Sequence, residues 1–521
     1  MRTLATMGAA LMLFGCGDES GSGPRARPRV LASVSGFELS ASPASAASGE
    51  IITVSWTAAD GQTSSRDWIG FYRVGDDNSA FDWSRWTYTD GWASGSFSVT
   101  APGTAGPYEF RYLLDDGYTD AARSNPVTVG STPPPPPSGS GGDLVFDDTS
   151  VNTFRIEIDP ADWDALVAEG RDDVHKWKRA TVTWESPWGT VVLNDVGIRK
   201  RGYFTAWAGN PKPSLRVKFD QFVRGQQLDG LNEVPVDGLM WDYTMMRDRL
   251  VYGLFRERGL AAPRCAHVRF YVNGEYRGVY LAEERINKQF VDRRWGSAAG
   301  QVYEYEPEQD IADAELKWRG SDPALYVPDP FEPRVDSRPP GAEEIRDLVA
   351  AVNFDPGQAG RVFDVDGFLE YMAIEYITGE ADGYCATWGW INGDADIYSW
   401  NFFVGKRGDQ FVMIPWDRNS AYWDSFDSIT RGYDEQTLTR TLLVENGAHF
   451  EAYKRKLRDL ANGAHSEGAM SAKIDQIFAQ IRSHAEEDPF KGHSLEEMQS
   501  SVNGLKDYVA WRNNAARSQT K

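Results

Sequence analysis

The spacing of apolar and polar positions changes character along the chain. From 32 to 130 it consists of short alternating runs, among them Phe37 to Ser40, Ile51 to Trp56, Trp68 to Tyr72, Ser96 to Val99, Tyr108 to Tyr112 and Pro126 to Val129. A period of two puts alternate side chains on opposite sheet faces, and Gly, Asp, Asn and Ser clusters between the runs supply turns. This predicts an all-β sandwich over 32–130. The stretch 131–142 then carries a Pro run followed by Gly and Ser, a stiff polyproline segment ending in a hinge. Beyond it, 143–521 mixes both periods and reads as one α+β domain.

In that domain Phe154 to Ile158 alternates, and Asp159-Pro160 supplies an N-cap and a first-turn proline. Strands are predicted over 178–184, 190–194, 196–201 and 212–219. In the last of these, alternation puts Lys212, Ser214, Arg216 and Lys218 on one face. A helix follows over 244–258. A hairpin turns at Asn273-Gly274 and ends at Glu283-Glu284, before a helix over 287–295. A helix over 366–378 delivers Asp382, and strands over 401–404 and 411–414 form a second hairpin. Helical spacing returns over 450–461, 469–484 and 495–517.

The 521 residues fit two or three domains, and 41% hydrophobic content supports large cores. The net charge of −22 opposes non-specific nucleic-acid binding but allows a local basic cleft. Residues 1–16 pair an apolar run with Leu13-Phe14-Gly15-Cys16. They read as a lipoprotein signal with Cys16 as the acylated residue, and 17–31 as a tether. The expectation is an exported protein held at a membrane by its lipid alone, periplasmic or at the cell surface. Cys265 and Cys385 are expected to be buried thiols.

The chemistry concentrates in Asn401 to Asn419. Asp417 follows an apolar strand stopped by Pro415, and Asn401 opens the strand paired with it. Neighbouring Asn and Asp oxygens are hard ligands suited to Mg²⁺ on phosphates. The plainer alternative is that Asp417 caps a turn and Asn401 satisfies local backbone. The cation row on 212–219, beside the turn at Gly202, suits a phosphate cradle, or is a solvated strand face.

The segment from Met246 to Val291, with Gly197 to Phe219 and Phe402 to Asn419, resembles the CotH family of atypical protein kinases. The short segment Asp67 to Tyr72 resembles SKICH-like immunoglobulin-type modules. The CotH resemblance covers 143–521 and implies an atypical protein-kinase-like domain that transfers phosphate from ATP, with Mg²⁺ (Mn²⁺ or Ca²⁺ as alternative ions), to Ser, Thr or other hydroxyls. It implies Lys212, Lys218 and Arg201 on the nucleotide, Glu284 anchoring the lysine or near the metal, Asp382 as catalytic base, and Asn401, Asp417 and Asn419 at the metal. Two departures stand out. Asp382 and Asn401 lie 19 positions apart, where the family has them close, leaving Asp394 or Asp396 as substitutes. Asn419 stands where a second Asp is frequent. The expected partner is a surface or coat protein, with no nucleic acid, and the oligomeric state is open. The alternatives are an adhesin on a pseudokinase scaffold, or a transferase of AMP or of phosphate to sugars.

Overall fold

The computed structural model describes residues 36–130 and 141–521, except 43, 48–50, 60, 83–84, 174, 203–204, 297–300, 307–314, 336–341 and 388–398. Cys16, the tether, most of the linker, Asp394 and Asp396 therefore lie outside the described residues. The chain divides into two compact units near residue 134. No helix among the described residues is long and apolar enough to cross a membrane.

The first unit is a sandwich. One sheet holds β1 (Phe37–Ser42), β3 (Ile51–Ala58) and β6 (Ser94–Thr100). The other runs β2 (Ser45–Ala47), β9 (Val127–Gly130), β7 (Gly106–Leu113), β4 (Trp68–Arg73) and β5 (Trp86–Tyr88), with β8 (Asp120–Arg123) on β7. Ile52, Val54, Ile69, Phe71, Phe110 and Tyr112 fill the space between the sheets. On β1 the alternation read from the sequence is the packing seen, whereas β4 is buried on both faces, with Trp68 and Tyr72 joining Phe81 and Leu113 in a second cluster.

The second unit opens with a closed barrel. Its strands run β10 (Asn152–Ile158), β11 (Lys178–Ser186), β12 (Gly189–Lys200), β13 (Leu215–Lys218), β14 (Glu233–Asp237), β16 (Glu275–Glu283) and β15 (Cys265–Val272). Parallel pairing of β10 with β15 closes it. Ile198, Leu215, Val217, Val234, Val236, Tyr280 and Ala282 point inward and are buried. Alternation therefore turns Arg199, Arg216, Lys218, Glu233, Asp237 and Glu283 outward. The ladder continues one residue past β12, since the Arg201 N–H donates to the Ser214 carbonyl at 2.9 Å.

That outer wall faces a second sheet, β18 (Phe331–Pro333), β17 (Val302–Tyr305), β19 (Phe402–Arg407) and β20 (Gln410–Pro415). The Arg201 guanidinium lies 5.6 Å from the Trp416 ring centre, just beyond β20. Behind this sheet one large apolar cluster joins α2 (Arg247–Glu257), α4 (Ala342–Phe354), α5 (Val365–Thr378) and the helices Gly447–Asn462, Glu467–Glu486 and Leu495–Gln519. Two further helices follow barrel strands in sequence, α1 (Pro160–Ala168) after β10, capped by Asp159 with Pro160 in its first turn, and α3 (Lys288–Trp295) after β16, capped by Asn287. Gly379 ends α5 in the left-handed conformation at φ 57°, and a Cβ there would stand 1.7 Å from the Tyr508 hydroxyl. Only glycine fits both constraints, and the chain turns there toward Glu380 and Asp382.

Candidate functional site

Five segments deliver carboxylates to one place. Asp237 ends β14, Glu283 ends β16, Asp248 sits in the first turn of α2, Asp382 follows α5, and Asp417 follows β20. The hairpin β19–β20 brings Asn401 beside Asp417, because Phe402 pairs with Pro415 and the Trp416 N–H donates to the Asn401 carbonyl at 3.0 Å. Both Asn401 (φ 51°) and Asp417 (φ 47°) adopt the left-handed backbone region. Asn and Asp tolerate that region better than other side chains, and strained backbone of this kind collects at functional sites.

The separation of Asp382 from Asn401 in sequence does not separate them in space. The Asn401 Nδ2 donates to Asp382 Oδ2 and to the Asp382 carbonyl, both at 3.0 Å. Asn419 Nδ2 donates to Asp417 Oδ1 at 2.5 Å. Arg418, fully buried, ties these pieces together. Its Nη1 donates to Glu375 Oε1 at 2.9 Å, and its Nη2 to the Tyr371 hydroxyl at 2.6 Å and the Asn401 carbonyl at 2.7 Å. Its backbone N–H donates to Asp248 Oδ1 at 2.6 Å, while the Asp417 N–H donates to the Tyr252 hydroxyl at 2.9 Å.

Negative charge is in excess here. Burial, reinforced by Asp237, pushes the Asp417 carboxyl up to about 6 against the pull of Arg201 and Arg418. Burial raises Glu283 to about 7 despite Arg201, with Asp237 and Asp417 adding to the rise. Burial also raises Glu380 to about 7, and burial with Glu380 and Asp417 holds Asp382 well above the usual carboxylate range. Asp248 is raised well above its ordinary value by burial, Glu283, Asp417 and Asp237. Arg201 and Arg418 are the cations that act on this set. Among the described residues, no group of three or more His, Cys, Asp or Glu is arranged to hold a metal ion by itself. Mg²⁺ commonly takes one or two carboxylates and completes its shell with water and phosphate. An under-neutralised pair, Asp417 and Asp382 with Asn401 alongside, fits that requirement.

The expected residues divide. Asp382, Asn401, Asp417, Asn419 and Arg201 meet. Arg201 Nη1 donates to Glu283 Oε2 at 2.9 Å, and its Nη2 lies 3.8 Å from Asp237. Lys212 does not present itself to the cleft: it precedes β13 instead of belonging to it. Its ammonium, fully buried, is 2.6 Å from the equally buried Asp488. Glu284 turns to the side opposite Glu283. Although burial opposes it, Arg294, Arg264 and Arg293 hold its carboxyl below the ordinary value. Arg293 Nη2 lies 2.6 Å and Arg264 Nη2 2.9 Å from it. Lys218 stays on the outer wall, with Asp220 at 4.0 Å. Four residues of strand separate its row from that of Ser214, about 13 Å at the usual rise. Sequence reasoning missed Glu283, Asp237, Asp248 and Glu380. Strand-end position was the available signal for the first two.

Residues 198–515, more than half of the 521, match the family described as CotH kinase protein. The inner spore coat protein H of Bacillus subtilis (strain 168) is 21% identical over 316 residues, covering 57% of this chain and 80% of that protein. The spore coat protein homolog 1 of Rhizopus delemar is 25% identical over 167 residues, covering 31% of this chain and 26% of that protein. Among solved structures, purple acid phosphatase PPD1 from yellow lupin seeds matches 43% of this chain and 50% of its own, at 10% identity and a TM-score of 0.16, too low to transfer fold or chemistry.

Proposed function

Because the chain belongs to the CotH kinase protein family, we propose that its second unit is a kinase-like phosphotransferase. In this reading it moves the γ-phosphoryl group of Mg-ATP to a hydroxyl. The contact that carries the reading is Asn401 to Asp382 at 3.0 Å, beside Asp417 on the paired strand end. It joins a base, a ligand amide and a metal carboxylate across 35 residues of sequence. Phosphoryl transfer asks little covalent chemistry of the protein and much positioning and charge neutralisation. Mg²⁺ bound with the nucleotide supplies most of that neutralisation. Arg201 offers a planar guanidinium to a phosphate, held in place by Glu283 in the manner of a kinase Lys–Glu pair. Asp382 orients the acceptor hydroxyl and takes its proton late in the transfer.

The relatives named as spore coat proteins support a Ser or Thr hydroxyl on a coat or surface protein as the acceptor. Acylation of Cys16 would hold the enzyme at the membrane where such acceptors lie. One observation favours a second reading, a scaffold without turnover. Asn419 replaces a charge next to Asp417 and turns its amide hydrogen toward it, which lowers the attraction for a divalent ion. Incubation of the full chain with γ-³²P-ATP and Mg²⁺ separates the two. Label that enters protein and is lost in Asp417→Ala and Asp382→Asn supports transfer. Absence of label, with fold and ATP binding intact, sinks it. Label from α-³²P-ATP instead identifies AMP transfer.

A further inference from the structure

The segments that deliver Asp237, Asp248 and Asp417 also carry aromatic rings into water. Trp241, Tyr243 and Trp423 are 54%, 45% and 41% exposed, and among the described residues of the second unit the other tryptophan or tyrosine so exposed is Trp511, on the last helix. We infer that these three rings form the docking face for the acceptor, an extended peptide segment with an aromatic or aliphatic side chain next to its Ser or Thr. This rests on the phosphotransferase reading and specifies what flanks the hydroxyl.

The rings are tied to the cluster at three points. Trp241 and Tyr243 belong to the loop between Asp237, which ends β14, and Asp248, in the first turn of α2. Asp237 Oδ1 accepts the Leu239 N–H at 2.7 Å, so the loop leaves directly from a cluster carboxylate. Trp423 follows Asp417 in the chain, and its N–H donates to the Gly379 carbonyl at 3.3 Å, at the turn that leads to Asp382. Arg247 joins the two segments. Its backbone N–H donates to Asp242 Oδ2 at 2.8 Å and its Nη1 to the Asn419 carbonyl at 3.1 Å, while its guanidinium lies 6.0 Å from the Trp423 ring centre.

Backbone strain falls on the same two segments. Among the described residues, Leu239, Met245 and Tyr422 are the side chains bulkier than Asn or Asp that hold left-handed backbone, at φ 58°, 58° and 60°. Bulky residues avoid that region, and where it persists it collects at functional sites. Leu239 and Met245 bracket Trp241 and Tyr243, and Tyr422 precedes Trp423. All three strained residues are buried in the large apolar cluster. They anchor the segments from beneath and leave the rings above in water. Exposed tryptophan gains nothing for the fold, whereas rigidly held aromatic rings are what interfaces use as anchors.

The polar groups beside the rings are already occupied, which decides the class of ligand. Asp242 Oδ1 accepts from the Thr244 N–H (2.8 Å) and hydroxyl (2.6 Å), and its Oδ2 from the N–H groups of Met246 and Arg247 (both 2.8 Å). These fill the roughly four lone-pair sites of a carboxylate, so Asp242 offers nothing to a sugar hydroxyl or an ammonium. Arg247, beside Trp423, repels a Lys or Arg. Ring surface remains, and it suits an aromatic or aliphatic side chain.

The test uses the full chain, Mg-ADP and fluorescein-labelled peptides in which one Ser is flanked by Phe, by Ala or by Lys. Binding is read by fluorescence anisotropy, and transfer in parallel with γ-³²P-ATP. The Phe peptide should bind about tenfold tighter or more than the other two. Trp241→Ala/Trp423→Ala should abolish that preference and Trp511→Ala should keep it, with thermal unfolding checking that both variants fold. Tyr243→Ala, which also weakens the preference, carries the same test if the double variant does not fold. Equal binding of the three peptides, a Lys preference, displacement of the Phe peptide by the neutral glucan maltohexaose, or a Phe preference that survives the ring substitutions overturns the inference. Label entering the peptides in any of those cases leaves the phosphotransferase reading standing. A Phe preference lost with the rings, but with no label transferred, supports the docking face and counts against transfer alone.

Discussion

Lys212 is the residue on which sequence and structure part most sharply, and its substitution tests the reasoning directly. Lys212 Nζ and Asp488 Oδ2 are 2.6 Å apart, with both side chains fully buried. Burial pulls the ammonium below its ordinary value, and Asp488 opposes that pull. Asp488 also accepts the N–H of Val279 at 3.1 Å and of Phe490 at 2.9 Å. The pair thus ties β16 to the segment after the helix Glu467–Glu486. Lys212→Met removes one charge and strands the other away from water. Breaking a buried pair in this way costs roughly 3–5 kcal/mol. Two backbone donors remain on Asp488, which puts the expectation near the lower end, about 3 kcal/mol.

The assay is urea denaturation of the full chain, following the transition of the second unit and comparing midpoints at constant slope. Lys212→Met/Asp488→Asn should recover most of the loss, because an Asn keeps an acceptor for a backbone N–H and leaves no charge behind. Mg-ATP binding, measured where both variants are folded, should match the wild type. A Lys212→Met protein that keeps its stability to within about 0.5 kcal/mol and loses ATP binding refutes this account. Lys212 would then be a phosphate ligand.

Three further outcomes are expected. Glu284→Gln should destabilise the fold by about 3 kcal/mol by leaving three guanidiniums facing a neutral group, whereas Glu283→Gln should lower transfer tenfold or more with little change in unfolding midpoint; equal effects of the two on stability would contradict the opposite facing of their side chains. Asn401→Ala should be about 1 kcal/mol less stable than Asn401→Gly, since both lose the amide and only alanine resists the left-handed backbone; identical urea midpoints would count against strain at φ 51°. Burial lowers His267 to about 3, with Arg249 adding to it, and lowers His465 to about 4. The unfolded chain takes up those protons first, near pH 6.5, so this contribution is full above that pH and lost as pH falls toward 4 and 3. Between pH 6.5 and 5 the two histidines should cost about 3 kcal/mol together, read as the difference in pH profile between wild type and a His267→Gln/His465→Gln variant; parallel profiles would refute it.

The elements that sequence revealed are those whose signals are local. Asp159-Pro160 caps α1, Asn273-Gly274 turns a hairpin at φ 50° and 80°, and the final helices run at helical spacing. Facing was legible only where one side of a strand is polar. On β16, Tyr280 and Ala282 pack into the barrel while Val279 and Leu281 pack into the helical lobe. A strand apolar on both faces carries no visible alternation. Nothing in its pattern told Glu283, which meets Arg201, from Glu284, which meets three other arginines. Lys212 failed for a related reason. Alternation holds only inside a strand, and β13 begins at Leu215, so the parity counted back through Pro213 had no ladder to enforce it. The pairing of Asp382 with Asn401 was hidden by the 19-residue separation and became visible only when α5, Gly379 and the hairpin were in place.

The site combines two features that folding alone gives no reason to keep. Asn401 and Asp417 hold left-handed backbone at the mouths of paired strands, each at a cost on the order of 1 kcal/mol or more. Burial and mutual repulsion raise Asp417, Glu283, Glu380, Asp382 and Asp248 together. A cluster kept only for packing would be stabilised by replacing one carboxylate with an amide. Arg418 works in the opposite sense, because it spends a buried guanidinium on Glu375, Tyr371 and the Asn401 carbonyl and so fixes the crowded geometry instead of dispersing it. Added positive charge relieves the repulsion, and the left-handed turns set both side chains beside it. Mg²⁺ titrated into the metal-free chain should therefore raise its unfolding temperature through Asp417 and Asp382. A rise unchanged in Asp417→Asn/Asp382→Asn would mean the ion binds elsewhere, and the cluster would then need another explanation.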